Sequence, residues 1–88
     1  MVYSVLYSSR SEKYLARLTT SKTKKILQRI EKLSNKPFET DNNIVKLVGT
    51  ESSFRLRIGD IRIIYFINKK NKSIYITKIA PRGSSYSS

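Results

Sequence analysis

Between Ser9 and Leu33 apolar positions recur at helical spacing, and from Val45 to Ile79 they alternate with polar ones, so helices should be followed by a run of strands. The sharpest alternation spans Phe54-Arg-Leu-Arg-Ile-Gly-Asp-Ile-Arg-Ile-Ile-Tyr65. Its Gly59-Asp60 pair signals a two-residue hairpin loop, which fixes the register of the flanking strands. Ile58 then faces Ile61, Arg57 faces Arg62, Leu56 faces Ile63, Arg55 faces Ile64 and Phe54 faces Tyr65. Cross-strand partners share a face of the sheet. Phe54, Leu56, Ile58, Ile61, Ile63 and Tyr65 therefore form an apolar side, while Arg55, Arg57 and Arg62 crowd the other. A strand face that only had to be wet could have mixed in Thr, Ser or Glu, so the three arginines point to a polyanionic partner.

The remaining pattern fills in an α+β domain. Val2 to Tyr7 reads as a short strand. Ser9 with Glu12 is a capping-box spacing, followed by Tyr14, Leu15 and Leu18 on one helical face. A second helix starts near Thr20 or Ser21 and carries Ile26, Leu27, Ile30 and Leu33 as its apolar stripe, with Lys22, Lys24, Lys25, Arg29 and Lys32 largely around the other side. Asn35, Pro37 and the Asp41-Asn42-Asn43 cluster end it in a loop. A short Val45 to Leu47 strand, the central hairpin, and a last strand from Ile74 to Ile79 complete the chain before Pro81 and a Ser-rich tail. The expected architecture is a two-helix hairpin packed on one face of a small, mostly antiparallel sheet, in β-α-α-β-β-β order. Two helices cover one face only, and the uncovered face is the arginine face.

Composition narrows the chemistry. The 88 residues suffice for a single domain, 1–88, with one thin core. The net charge is +12, with lysine and arginine divided evenly about Val45, which makes nucleic acid the leading partner class. No apolar run approaches the ~20 residues that span a bilayer, and no secretion signal opens the chain, so a cytoplasmic protein without membrane association is expected. The sequence contains neither cysteine nor histidine. That excludes disulfides, thiolate metal sites and every nucleophile activated by imidazole. The six acidic residues are scattered, which disfavours a nuclease that must hold catalytic cations.

The basic face, joined by Arg82 and Tyr86, could still act on RNA. A 2′-hydroxyl held in line with its own phosphate is a built-in nucleophile, so the protein has chiefly to orient the strand and stabilise charge. Arginine forks suit phosphate oxygens and make poor bases. Tyr86, Lys46 or Lys78 would move protons more easily, and the residues do not choose among them. Lys46 and Lys78 are also candidate RNA contacts.

Taken together, Lys46-Leu47-Val48-Gly49, the hairpin from Phe54 to Tyr65, and Ile79-Ala-Pro-Arg82 with Tyr86 resemble the RelE branch of the RelE/ParE toxin superfamily. The resemblance implies the toxin of a type II toxin–antitoxin pair, a metal-free mRNA endoribonuclease that cleaves messenger in the ribosomal A site and needs no cofactor. By position it assigns Arg55, Arg57, Arg62, Arg82 and Tyr86 to the catalytic set. It also implies a cognate RelB-like antitoxin with an acidic or amphipathic helix, in a hetero-oligomeric complex. Well-studied members carry lysines on the strand before the turn, where this chain has Arg55 and Arg57, and charge often follows where Gly83, Ser84 and Ser85 stand. Those departures imply reduced activity. The competing readings are a ParE-like DNA gyrase inhibitor on the same fold and a non-catalytic basic RNA-binding module.

Overall fold

The computed structural model describes residues 2–39, 41–49 and 52–81. Seven elements follow one another: β1 (Ser4–Tyr7), α1 (Ser9–Arg17), α2 (Thr20–Asn35), β2 (Ile44–Lys46), β3 (Ser53–Ile58), β4 (Ile61–Asn68) and β5 (Ser73–Pro81). They form a two-helix layer on a five-stranded sheet of order β1-β5-β4-β3-β2. Four strands follow the helices, matching the short strand, the hairpin pair and the last strand read from the sequence, so the β-α-α-β-β-β order is one strand short. β1 pairs in parallel with β5, and every other neighbouring pair is antiparallel. The N-terminal strand thus joins the sheet beside the last one, which leaves β4 in the centre.

Both helix starts are capped by a hydroxyl one residue ahead of the helix. The predicted cap at Ser9 is corrected to Ser8, whose extended backbone lets its side chain accept from the Ser11 N–H, while Ser9 is already helical. Glu12 then lies in the first turn without closing a capping box. Thr19 accepts from the Lys22 N–H and starts α2.

Helix α2 brings Ile26, Ile30 and Leu33 against Leu56, Ile61, Ile63, Tyr65 and Ile67 of the hairpin and Ile74, Ile76 and Ile79 of β5. Tyr14, Leu15 and Leu18 of the α1 segment close the rim. Leu27, expected in the stripe, is 43% exposed instead. It sits one residue beyond Ile26, rotated off the buried row, and lines a shallow helical groove with Leu18 and Thr23.

The hairpin register is the one read from the alternation, from Ile58 opposite Ile61 to Phe54 opposite Tyr65. Gly59 has φ +58, so the first turn position lies where only glycine is unstrained, as a type II′ hairpin requires. Strand β5 behaves differently. Ile64 pairs with Lys78 but Tyr65 pairs with Ile76, so Thr77 is an extra residue on β5. This bulge resets the alternation: Ile74, Ile76 and Ile79 all reach the core, and Lys78 moves to the uncovered face.

The carbonyls exposed by the bulge are taken up by the start of α1. Ser8 donates its hydroxyl to Thr77 O at 2.9 Å, and its backbone N–H donates to Ile76 O at 2.9 Å. Arg10 Nε also donates to Thr77 O, and the buried Ser11 hydroxyl donates to Ile76 O. On the other side, the Thr77 hydroxyl donates to Ile64 O. One extra residue is thereby bonded from both flanks.

Candidate nucleic-acid interface

Pairing across four strands arranges the uncovered face in rows. Val45, Arg55, Ile64 and Lys78 stand side by side in one row, and Arg57, Arg62 and Ala80 in the next. Arg55, Arg57 and Arg62, with Asn42, Asn43 and Val45, line a cleft of about 110 Å³. Among the described residues no acidic side chain lines it. Like charges directly opposite each other are unfavourable in a sheet. Arg57 and Arg62 are such a directly opposed pair.

The three guanidinium groups are not equally wet. Arg57 is exposed and Arg55 half-buried, but Arg62 keeps only 7% of its surface, with Nε and Nη1 enclosed. On the uncovered face, where the sequence places all three, Arg62 is nonetheless almost wholly buried. It lies on the central strand, flanked by Arg57 and the small Ala80. A cation held there acts through a lower dielectric than a surface lysine does, and it is already in place when an anion arrives.

The cleft has a second wall that the sequence left undefined. Arg29 on α2 binds the Asp41 carboxylate, and Asp41 accepts from the Asn43 N–H at 2.8 Å in an Asx turn. Asn43 O in turn accepts from the Arg57 N–H at 2.9 Å. The turn is thus pinned both to a helix and to the arginine strand, and it places Asn42 and Asn43 at the cleft edge. Asp41-Asn42-Asn43 carried that signal as an Asx-turn sequence, but nothing in the chain linked it to Arg57.

The other site candidates separate. Lys78 lies on the arginine face, one row position beyond Ile64. Lys46 pairs with Phe54 and has the opposite parity from Arg55, so the structure does not bring it to the cleft. It lines a broader groove with Phe38, Phe54, Lys69 and Lys70, where the Lys69 ammonium lies 5.0 Å above the Phe38 ring. Arg82 and Tyr86 lie outside the described residues. Among the described tyrosines, Tyr65 is held away from proton transfer: burial pushes its phenol up to about 12, with Arg29 lowering and Asp41 raising it.

The chain is 32% identical over 87 residues to a Methanocaldococcus jannaschii protein described as "Putative toxin RelE1", covering 98% of this chain and 97% of that one. The chain belongs to the RelE toxin family. The RelE of the archaeal RelE–RelB complex from Pyrococcus horikoshii superposes with a TM-score of 0.83 at 34% identity, covering 94% of this chain and 98% of that one. The intact Escherichia coli RelBE toxin–antitoxin complex gives a TM-score of 0.77 at 14% identity, with 90% and 95% covered, a likeness of fold alone. No family model matches the chain. The RelE fold thus carries here an arginine cleft on its uncovered sheet face. Among the described residues no helix is long and apolar enough to cross a membrane.

Proposed function

We propose that the chain, as one domain over residues 1–88, is a ribosome-dependent mRNA endoribonuclease that inhibits translation from the cytoplasm. The observation that carries this reading is the cleft, where three arginines from β3 and β4 meet beside Asn42 and Asn43. A phosphodiester fits such a site. Arg57 and Arg62 bind its non-bridging oxygens, and Arg55 steers the neighbouring sugar and phosphate. The 2′-hydroxyl oxygen attacks phosphorus while its proton passes to a base. The bond from phosphorus to the 5′ oxygen then breaks, and that oxygen takes a proton from an acid. A cyclic phosphate and a free 5′-hydroxyl result.

Negative charge builds on the non-bridging oxygens along this path, and guanidinium groups already in place stabilise it most at the transition state. Lys78 is the proton-moving candidate on the arginine face, and Arg82 and Tyr86 are the further candidates. Lys46, on the other parity, contacts RNA outside the cleft. An arginine remains protonated at any ordinary pH, so Arg55 and Arg57 contribute charge and geometry only, and turnover is reduced accordingly.

The Pyrococcus horikoshii relative was solved as a RelE–RelB complex, and the basic balance of this chain suits an acidic wrapping partner. A cognate RelB-like antitoxin is therefore the silencing partner in a hetero-oligomer. The test is cleavage of ribosome-bound messenger by the purified toxin. Wild type should cut in the A site, and Arg57→Ala should lower the rate about a hundredfold while antitoxin binding and the far-UV spectrum stay unchanged. Equal rates for wild type and Arg57→Ala would end the reading, as would uncut messenger together with stalled gyrase supercoiling.

A further inference from the structure

The uncovered face has a third row that the phosphate chemistry does not use. Ser53, Phe66, Tyr75 and Leu6 are successive cross-strand neighbours from β3, β4, β5 and β1. Phe66 is 40% exposed, Tyr75 41% and Leu6 54%. Three large apolar side chains on one wet row of a small sheet are not explained by the core, which lies on the other side. They continue the arginine and lysine rows along the strands. No acidic residue occupies the described part of this face, so an occupant of the whole face carries negative charge at one end and flat apolar surface at the other. Single-stranded RNA has both properties.

We infer that Phe66 and Tyr75 form a stacking platform for a base of the RNA strand whose scissile phosphate sits in the arginine cleft. This rests on the RNA-cleaving reading above. Along β4, Arg62, Ile64 and Phe66 are same-face neighbours at steps of roughly 6.8 Å, comparable to one nucleotide of an extended strand. Phe66 therefore lies about two nucleotides from a phosphate held at Arg62. The strand would run along β4 and β5, with Arg55 and Lys78 beside the intervening phosphate and the aromatic pair under a base. Stacking on exposed rings of a sheet is indifferent to base identity, because every base has a π-face. The platform thus holds the message in register without restricting which codons are cut.

The test uses the full chain and an uncleavable RNA oligonucleotide with a single 2′-deoxy sugar at the scissile position, its affinity followed over a range of salt. The Phe66→Leu/Tyr75→Leu double variant keeps the row apolar and removes the rings. It should bind roughly five- to hundredfold more weakly with an unchanged dependence on salt, because no phosphate contact is lost. Arg57→Ala should instead flatten the salt dependence by about one counterion. An abasic position two nucleotides from the scissile bond, on one side, should weaken wild type and leave the double variant unaffected.

If the double variant binds like wild type, or the abasic scan is flat, the platform is wrong even where Arg57→Ala still weakens binding; the row then belongs to a protein partner. If wild type binds no RNA at all and cuts none on the ribosome, the nuclease reading falls with it. A Phe66→Trp variant gives an independent readout, since the chain has no tryptophan of its own. Its emission should be quenched by the intact oligonucleotide and not by the abasic one.

Discussion

Along the β3–β4 ribbon every residue from Ser53 to Ile58 keeps one register with its partner, whereas along β4–β5 Thr77 stands without an opposite number. Both ribbons supply the same core, and both place cations on the same open face. They reach that result by different means. In the hairpin, a glycine at φ +58 turns the chain and strict alternation does the rest. In β5, simple alternation would send Ile79 outward and Lys78 inward, and the bulge reverses both. Local pattern sets the first ribbon. The second depends on hydrogen bonds from a helix start distant in sequence.

Exchanging the two residues after the bulge gives the largest expected effect. The double variant Lys78→Ile with Ile79→Lys restores the outline of a plain alternating strand, but it places an ammonium at a position only 5% exposed. An unpaired buried charge costs about 3–5 kcal/mol, a large share of a small domain's stability. Urea unfolding should show the midpoint collapse. A variant as stable as wild type would mean that β5 runs without the extra residue. The same exchange moved to an unbulged strand would have no such asymmetry, which is what makes it diagnostic.

How much could be read in advance follows the same division. The hairpin register, the apolar side and the arginine side were legible because Gly59-Asp60 and a period of two act over a dozen neighbouring residues. The helices were legible from their stripe, although Leu27 lies off the buried row and the α1 cap is Ser8. The Thr77 bulge was not legible, because its partners Ser8, Arg10 and Ser11 come from more than sixty residues away. The enclosure of Arg62 was hidden for a related reason: it follows from the central place of β4, which depends on β1 joining beside β5. Of the site, the three arginines could be named from the alternation alone. The Asn42–Asn43 wall could not, since Arg29 and Asp41 hold it through a tertiary contact, and a three-residue strand gives too little alternation to fix the parity of Lys46.

Removing the helix-side support of the bulge should have a smaller effect. Ser8→Ala deletes the acceptor for the Ser11 N–H and the donor to Thr77 O together. A lost cap alone costs roughly 1 kcal/mol, up to about 2 where other bonds go with it. Thermal unfolding should fall by several degrees for a domain of this size. Ser9→Ala, on the first helical residue, should be close to neutral by the same measurement. Comparable losses in the two variants would return the cap to Ser9 and detach α1 from the bulge.

The mildest perturbation separates burial from charge at the point where both ribbons meet. Tyr65 pairs with Phe54 on one side and Ile76 on the other, its ring stacked on Phe54 with centroids 5.5 Å apart. Burial raises its phenol from 10.0 to about 12, and the Arg29 guanidinium offsets part of that. Below pH 10 the phenol is neutral in both folded and unfolded chains, so it contributes no pH dependence. Between pH 10 and about 12 the unfolded chain loses its proton first, unfolding is favoured, and stability falls as the pH rises. Tyr65→Phe should therefore match wild type closely at pH 7 and lose less stability across the alkaline range in thermal melts. Part of the decline should persist, because burial also raises Tyr7, and burial together with Asp60 raises Tyr14. Parallel curves for wild type and variant would mean that water reaches the Tyr65 hydroxyl, and that the junction between the regular ribbon and the bulged one is looser than its packing implies.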